Sequence, residues 1–332
     1  MTPLIQIVGP AANAKRDFTL DTVKTRISHI ADVVADRPFY LDLLRLPPGR
    51  MLTDRRGSRI AALEAVYGAA IKHHLSFVPV LDPQGPSTQT GVAVRTALAT
   101  EHGCALRVRA TQLFPPPGHT YASYLAAKVD DFGLEAGDCD LLLDFGYIGD
   151  DDEVDPEWTA KLVAECCRRS DWRSVVLIGT SIPKSLTSVG IGEDTSGTIP
   201  RREWTHWIDA SRLGAPNLAF GDYAIQHPEP PPKTTKSPVW ANVRYTGPTG
   251  VLIERGFDVM SPDHGRLKQY DELCQRLVEV DEFEGGDFSW GDRAILRCAN
   301  GAALGRSLSD WRAYGTSHHL ELVRRQLEDG LF

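Results

Sequence analysis

The fold class this sequence predicts is α/β: a (β/α)8 barrel of the TIM type with a C-terminal extension packed on it. Three observations carry the prediction. Eight short β-branched or leucine-rich runs alternate with helical stretches, a pattern that pairs strands in parallel through right-handed crossovers. Eight is the number that closes a barrel, whereas an open doubly wound sheet usually has fewer strands and leaves edges exposed. The composition, 42% hydrophobic and 24% charged over 332 residues, is that of a folded chain with a substantial core. At about 150 residues per domain the length allows two domains, but α/β barrels run to about 200–250 residues as one unit. A barrel over residues 1–250 and an extension of the same domain over 251–332 are therefore expected.

Taken in order, the strands are expected at residues 4–8, 39–44, 76–81, 105–109, 140–145, 174–178, 218–222 and 239–245. Between them, apolar residues recur at helical spacing over 20–34, 58–73, 88–101, 121–132, 156–169 and 200–213. Pro156 after Asp155, and Pro200 ahead of an Arg-Arg-Glu-Trp run, are helix-start signals. Two regions break the alternation. Residues 228–238 form a proline-rich loop, stiff and extended, that reads as a lid or rim element. Beyond residue 250 the chain continues with a short strand at 251–256, a helix at 266–280 and a closing helix at 308–331. The acidic run at 150–153 reads as a solvated loop, because calcium loops place a glycine and alternate their ligands.

Acidic side chains outnumber basic ones by 44 to 36, a formal net charge of −8. That balance argues against direct nucleic-acid binding, which draws its affinity from a basic excess. No apolar run approaches the roughly 18 residues of a membrane span, and the N-terminus turns polar too early for a secretion signal. A cytoplasmic protein with no membrane partner is expected. The six cysteines show no CxxC pair or regular framework and read as small buried thiols.

In a parallel barrel the functional groups stand at the carboxyl ends of the strands. The polar residues that end the apolar runs are Asp42, Asp82, Arg107, Arg109, Asp144, Ser181, Asp222 and Arg244. Arg107 and Arg109 are two apart and share one sheet face. If that face is interior, Asp144 on the neighbouring strand is the natural counter-charge; if it is exterior, the two side chains simply snorkel between helices. The segment 221–228 presents Asp222, Tyr223, Gln226 and His227 together at a strand end. This suits a polar ligand with His227 exchanging protons, but an Asp222 that caps the turn and a His227 that satisfies a loop carbonyl fit the same pattern. In the tail, Trp290 and Asp292, followed by adjacent His318 and His319, read as rim residues folded over the pocket. Neighbouring histidines on a helix seldom face one metal. The Gly179–Pro183 segment begins like a nucleophile elbow but lacks the final glycine, and no P-loop, HExxH or zinc-spaced set is present.

The segments FYLDL (39–43), LLLDFG (141–146), IPRREW (199–204), FGDYAIQHP (220–228), NVRYT (242–246), FSWGD (288–292) and GTSHHL (315–320) resemble the beta-protein family of bacteria and phages. The resemblance covers nearly the whole chain and is most specific over 199–320. It implies a barrel protein encoded among phage and mobile-element genes, with no settled biochemical activity. Family members usually carry an upstream stretch with a lysine and a glutamate before the strand resembling PLIQI, and this sequence starts almost at that strand.

The function expected from these residues is binding of an anionic, phosphate-bearing or nucleotide-like small molecule at the strand ends. Arg107, Arg109 and Arg244 would clamp its oxygens. Asp42, Tyr223, Gln226, Trp290, Asp292, His318 and His319 would line the site. Asp144 and Asp222 would orient the arginines or hold a divalent metal, and His227 would serve as acid or base in hydrolysis of the phosphoester type. The alternative is a non-catalytic module that recognises a protein partner through the proline-rich loop and the tail.

Overall fold

The computed structural model describes every residue except 10–17, 55–56, 150–153, 170, 214–217, 230–237, 303–306 and 331–332. The acidic run at 150–153 and most of the proline-rich loop thus lie outside the described residues. The elements in chain order are β1 (Leu4–Gln6), α1 (Leu20–Val34), β2 (Phe39–Asp42), β3 (Met51–Thr53), β4 (Arg59–Ala61), α2 (Ala62–Lys72), β5 (Phe77–Leu81), α3 (Ser87–Thr100), β6 (Cys104–Arg109) and α4 (Tyr121–Asp131). They continue with β7 (Cys139–Tyr147), α5 (Pro156–Arg169), β8 (Ser174–Thr180), β9 (Thr195–Pro200), α6 (Arg202–Arg212), β10 (Leu218–Asp222), β11 (Trp240–Thr246) and β12 (Gly250–Asp258). Helices α7 (Tyr270–Val278), α8 (Trp290–Ala299) and α9 (Leu308–Glu328) close the chain.

The fold is mixed α/β. Seven of the eight expected strands form one sheet in the order β1-β2-β5-β6-β7-β8-β10. The pairings of β1 with β2, β2 with β5, β5 with β6 and β6 with β7 are parallel. The central strands are buried on both faces, as Phe77–Leu81 throughout β5, which is why they read as continuous apolar runs. The eighth expected strand corrects the barrel prediction. Residues 240–246 do form a strand, β11, but it pairs antiparallel with β12, which pairs antiparallel with β9, in a separate three-stranded sheet. The cause is local. Only Gly247–Thr249 separate β11 from β12, with Gly247 N–H bonded to Gly250 O at 2.7 Å, and so tight a connection permits only a hairpin.

By internal contacts the chain divides into two compact units. The first comprises residues 1–144, 161–177 and 214–219, and the second 145–160, 178–213 and 220–332. The expected boundary at residue 250 falls at the β11–β12 hairpin, inside the second unit. Strands β7, β8 and β10 each contribute residues to both units. In the second unit the odd residues of β11, Ala241, Val243 and Tyr245, bury against α7, α8 and α9 through Tyr270, Leu273, Ile295 and Trp311. The even residues of β11 are thereby left for polar work. Side-chain caps fix the helix starts: Thr19 on α1, Thr120 on α4, Ser289 on α8 and Ser307 on α9. All six cysteines are free, and burial pushes the Cys139 and Cys167 thiols up to about 11. Among the described residues no helix is long and apolar enough to cross a membrane.

Candidate functional site

Three aspartates that end strands or follow them share one local device. Asp42 accepts the N–H of Leu44, Asp82 that of Gln84 and Asp222 that of Ala224, through Oδ1 at 2.8, 2.8 and 2.9 Å. Each is an Asx turn that starts the loop after the strand. The turn occupies one oxygen. For Asp42 and Asp222 the second oxygen is aimed at a cationic or titratable side chain, so the turn-capping role and the site role coexist in one carboxylate.

In the first unit that partner is Arg107. Its Nη2 donates to Asp144 Oδ2 at 2.7 Å and its Nε to the same oxygen at 3.0 Å, while Nη1 donates to Asp42 Oδ2. Gln6 Nε2 also donates to Asp42 Oδ2, at 2.9 Å. The side chains of Arg107, Asp42 and Asp144 are only 13%, 0% and 6% exposed. The arginine therefore lies inside, as the interior alternative required, with Asp144 as its counter-charge. Two buried carboxylates take Nε, Nη1 and Nη2 of the side chain that was expected to clamp a ligand anion. Arg109 ends β6 as an exposed side chain. Toward the other end of the same strands Asp140 is held by Tyr40 Oη at 2.9 Å, Arg173 Nη2 at 2.6 Å and Ser174 Oγ at 2.8 Å, a satisfied buried carboxylate.

In the second unit Asp222 Oδ2 lies 2.8 Å from His319 Nε2, and His319 Nδ1 lies 2.9 Å from Thr246 Oγ1. Burial alone would raise the Asp222 carboxyl, but the charge and hydrogen bond of His319, the Ala224 N–H and the charge of Arg201 hold it below its usual range. His318, the next residue, serves a second cluster. Its Nε2 faces Thr246 O at 2.8 Å and its Nδ1 faces Asp292 Oδ2 at 3.0 Å. A carbonyl only accepts, so Nε2 donates to it and Nδ1 is the ring nitrogen that faces the carboxylate. Tyr245 Oη at 2.8 Å and Ser289 Oγ at 2.6 Å also donate to Asp292. Against the effect of burial, these bonds and His318 depress the Asp292 carboxyl. His318 stacks on Tyr245 with centroids 3.7 Å apart. The rim placement expected for Asp292, His318 and His319 is thus corrected: they are 0%, 0% and 2% exposed, because α9 turns both histidines onto β11. The two histidines face different carboxylates, Asp292 and Asp222, and among the described residues no group of three or more His, Cys, Asp or Glu side chains is placed to hold a metal.

Arg201 and Glu203, inside the IPRREW segment, complete this interior. Arg201 is fully buried; Nη1 donates to Gln326 Oε1 at 2.8 Å, Nε is 3.6 Å from Glu203 Oε1, and Nη2 has no hydrogen-bond partner among the described residues. Ser181 Oγ donates to Glu203 Oε2 at 2.6 Å. Burial lowers the Arg201 guanidinium and raises the Glu203 carboxyl.

Arg244 stands apart from all of these. It leaves the even face of β11 and donates from Nη1 to Ile225 O at 2.6 Å and from Nε to Asn242 Oδ1 at 3.1 Å. Both acceptors are neutral, and no carboxylate among the described residues pairs with it. Burial, and then the neighbouring positive charge of Arg312, lowers its guanidinium to about 10. Arg312 is exposed on α9, on the stripe that continues through Gly315 to His319. At Gly315 a Cβ would lie 2.6 Å from Arg244 O, so only glycine lets the helix pass β11 this closely.

The remaining candidates are dispersed within the second unit. His227 accepts the Glu229 N–H at Nδ1, 3.0 Å, and its ring lies 5.6 Å from that of Tyr147, so its imidazole braces the loop. Gln226 is exposed and Tyr223 half-buried. Trp290, 58% exposed, packs edge-on against Tyr314 at 4.9 Å. Sequence reasoning passed over Arg201, Glu203, Thr246 and Arg312. Only the buried environment marks the first three, and only the helical period from His319 marks the fourth.

The chain belongs to the Beta protein family, whose model matches residues 1–325. A search of the curated proteins finds no match.

Proposed function

We propose that the protein binds an anionic, phosphate-bearing small molecule in its second unit, with Arg244 and Arg312 as the anion clamp. One observation carries this reading: Arg244 is desolvated against two neutral oxygens, with a second guanidinium nearby and no carboxylate among the described residues. An arrangement of that kind is costly until an anion compensates it. Arg244 Nη2 is the donor left for the ligand, and the fork of two arginines suits a phosphate or pyrophosphate group. The acid–base pair closest along α9 is Asp222–His319, seven residues or about 10 Å from Arg312. In a hydrolytic version of this reading His319, with its tautomer set by Asp222, moves the proton.

Calorimetric titration of the full chain with pyrophosphate and with ATP at low salt tests the clamp. Arg244→Met and Arg312→Ala are each expected to lower the affinity by roughly tenfold or more, with Arg107→Met leaving it unchanged. Equal binding by the wild type and both clamp variants defeats the reading. Phosphate release that survives His319→Gln in a folded variant defeats the hydrolytic version alone.

Exposed Trp290 on Tyr314 favours a second reading, a non-catalytic module that docks a partner protein at this aromatic step. Partner binding lost in Trp290→Ala but kept in Arg244→Met would support it over the first.

A further inference from the structure

Outside these clusters, the first unit carries a groove of about 570 Å³ between α1 and α2. Its lining runs from Leu20 to His29 along one helix and from Glu64 to His73 along the other, about 13 Å in each case at the helical rise. The floor is apolar and low: Leu20, Ile60, Ala65 and Ala69, with Gly68 between the two alanines. Its rim is basic. Lys24, His29, Lys72 and His73 are all exposed, and none of the four side chains makes a hydrogen bond or ion pair with a described residue. The one acidic lining residue, Glu64, has Arg95 at 3.7 Å as its own partner. Four cationic or protonatable side chains thus converge on a groove in a chain whose net charge is −8.

Gly68 is a second, independent observation. It lies in the interior of α2, where glycine costs about 1 kcal/mol relative to alanine. No contact with a described residue explains it, because among these a Cβ at Gly68 would meet nothing within 4 Å. Ala65, Gly68, Ala69 and Lys72 occupy one stripe of the helix at spacings of three and four. Small residues in such a stripe let another backbone approach closely, and no described residue fills the space beside Gly68.

We infer that the α1–α2 groove docks an acidic amphipathic helix of a partner protein. The helix lays its small apolar face on the Ala65–Gly68–Ala69 stripe, and its flanking carboxylates face Lys24 and Lys72. A floor without aromatic side chains offers no stacking surface for a nucleotide base, and the groove's length matches two to three helical turns. The site is separate from the Arg244 clamp and does not depend on it.

The test is fluorescence anisotropy with the full chain and a labelled helical peptide of about 14 residues carrying an Ala/Leu stripe flanked by glutamates. Matched controls replace the glutamates by lysines or scramble the stripe. The acidic peptide is expected to bind, more weakly as salt rises. A Lys24→Glu, Lys72→Glu double variant is expected to lose roughly tenfold or more of that affinity and to gain affinity for the lysine peptide. Gly68→Leu is expected to abolish docking by filling the groove while leaving the thermal midpoint equal or higher. No binding of the acidic peptide in the millimolar range overturns the inference. So do equal binding of the scrambled peptide, unchanged binding by Gly68→Leu, and displacement of the peptide by ATP at matched ionic strength.

Discussion

Arg107 and Arg244 both leave a β-strand as largely desolvated guanidinium groups, and their surroundings differ in sign. Arg107 has two carboxylates, Asp42 and Asp144, on Nε, Nη1 and Nη2. Arg244 has a backbone carbonyl, an amide oxygen and a neighbouring arginine. The first is an internally neutralised strut whose desolvation is offset within the protein. The second has no counter-charge among the described residues, and the proposed anion would supply one. Residue type and placement in a strand are the same in the two cases, and what separates them is the counter-charge on the neighbouring element.

The contrast can be broken or sharpened by substitution. The largest effect is expected at the strut. Asp144→Ala leaves a buried guanidinium half-paired and should lower unfolding stability by about 3–5 kcal/mol, read from urea denaturation; a loss under about 1 kcal/mol would mean that the pair is not a strut. An intermediate effect is expected from pH. Asp222 and Asp292 have depressed folded-state values, so their stabilisation is present above the unfolded carboxylate value of about 3.9 and is lost as pH falls through the folded values. Urea midpoints measured from pH 5 downward should fall in the wild type and flatten in the Asp222→Asn, Asp292→Asn double variant. Glu203, raised by burial, acts with the opposite sign: its contribution is full below about 4.3 and declines as pH rises toward its folded value. Glu203→Gln should therefore gain on the wild type between pH 4 and neutrality. The smallest effect is expected at Arg244. Arg244→Met removes an uncompensated cation along with two neutral hydrogen bonds, and stability should shift by no more than about 1 kcal/mol in either direction. A loss as large as that at Asp144 would show the two arginines to be equivalent.

The sheet was legible in the sequence because its strands are buried on both faces and stand out as apolar runs, as FVPVL in β5 and LLLDF in β7 do. Other elements were hidden by composition. Strand β9, TSGTIP, carries the residues of a loop and is held in place by β12. The hairpin was announced by the GlyProThrGly run between two β-rich segments, and reading those segments as an eighth barrel strand followed by a tail missed that signal. Ser289 and Asp292 stand at the spacing of a helix cap ahead of an apolar run, yet the segment read as a rim loop. Within the site, Asp42, Arg107 and Asp144 were found as the charged residues that end apolar strand runs, where a parallel sheet presents its functional groups. The burial of His318, His319 and Asp292 could not be found that way, since it depends on where α9 lies against β11.

The Asx turns at Asp42 and Asp222 have a consequence for how these loops can vary. One oxygen is tied to an N–H only two residues ahead, so the orientation of the other is fixed before the rest of the loop begins. Insertions or deletions further along can reshape the rim without rotating the charge beneath it. An Asp→Asn exchange would retain the tether while cancelling the charge, so scaffold and electrostatics at these positions are separable by a single atom.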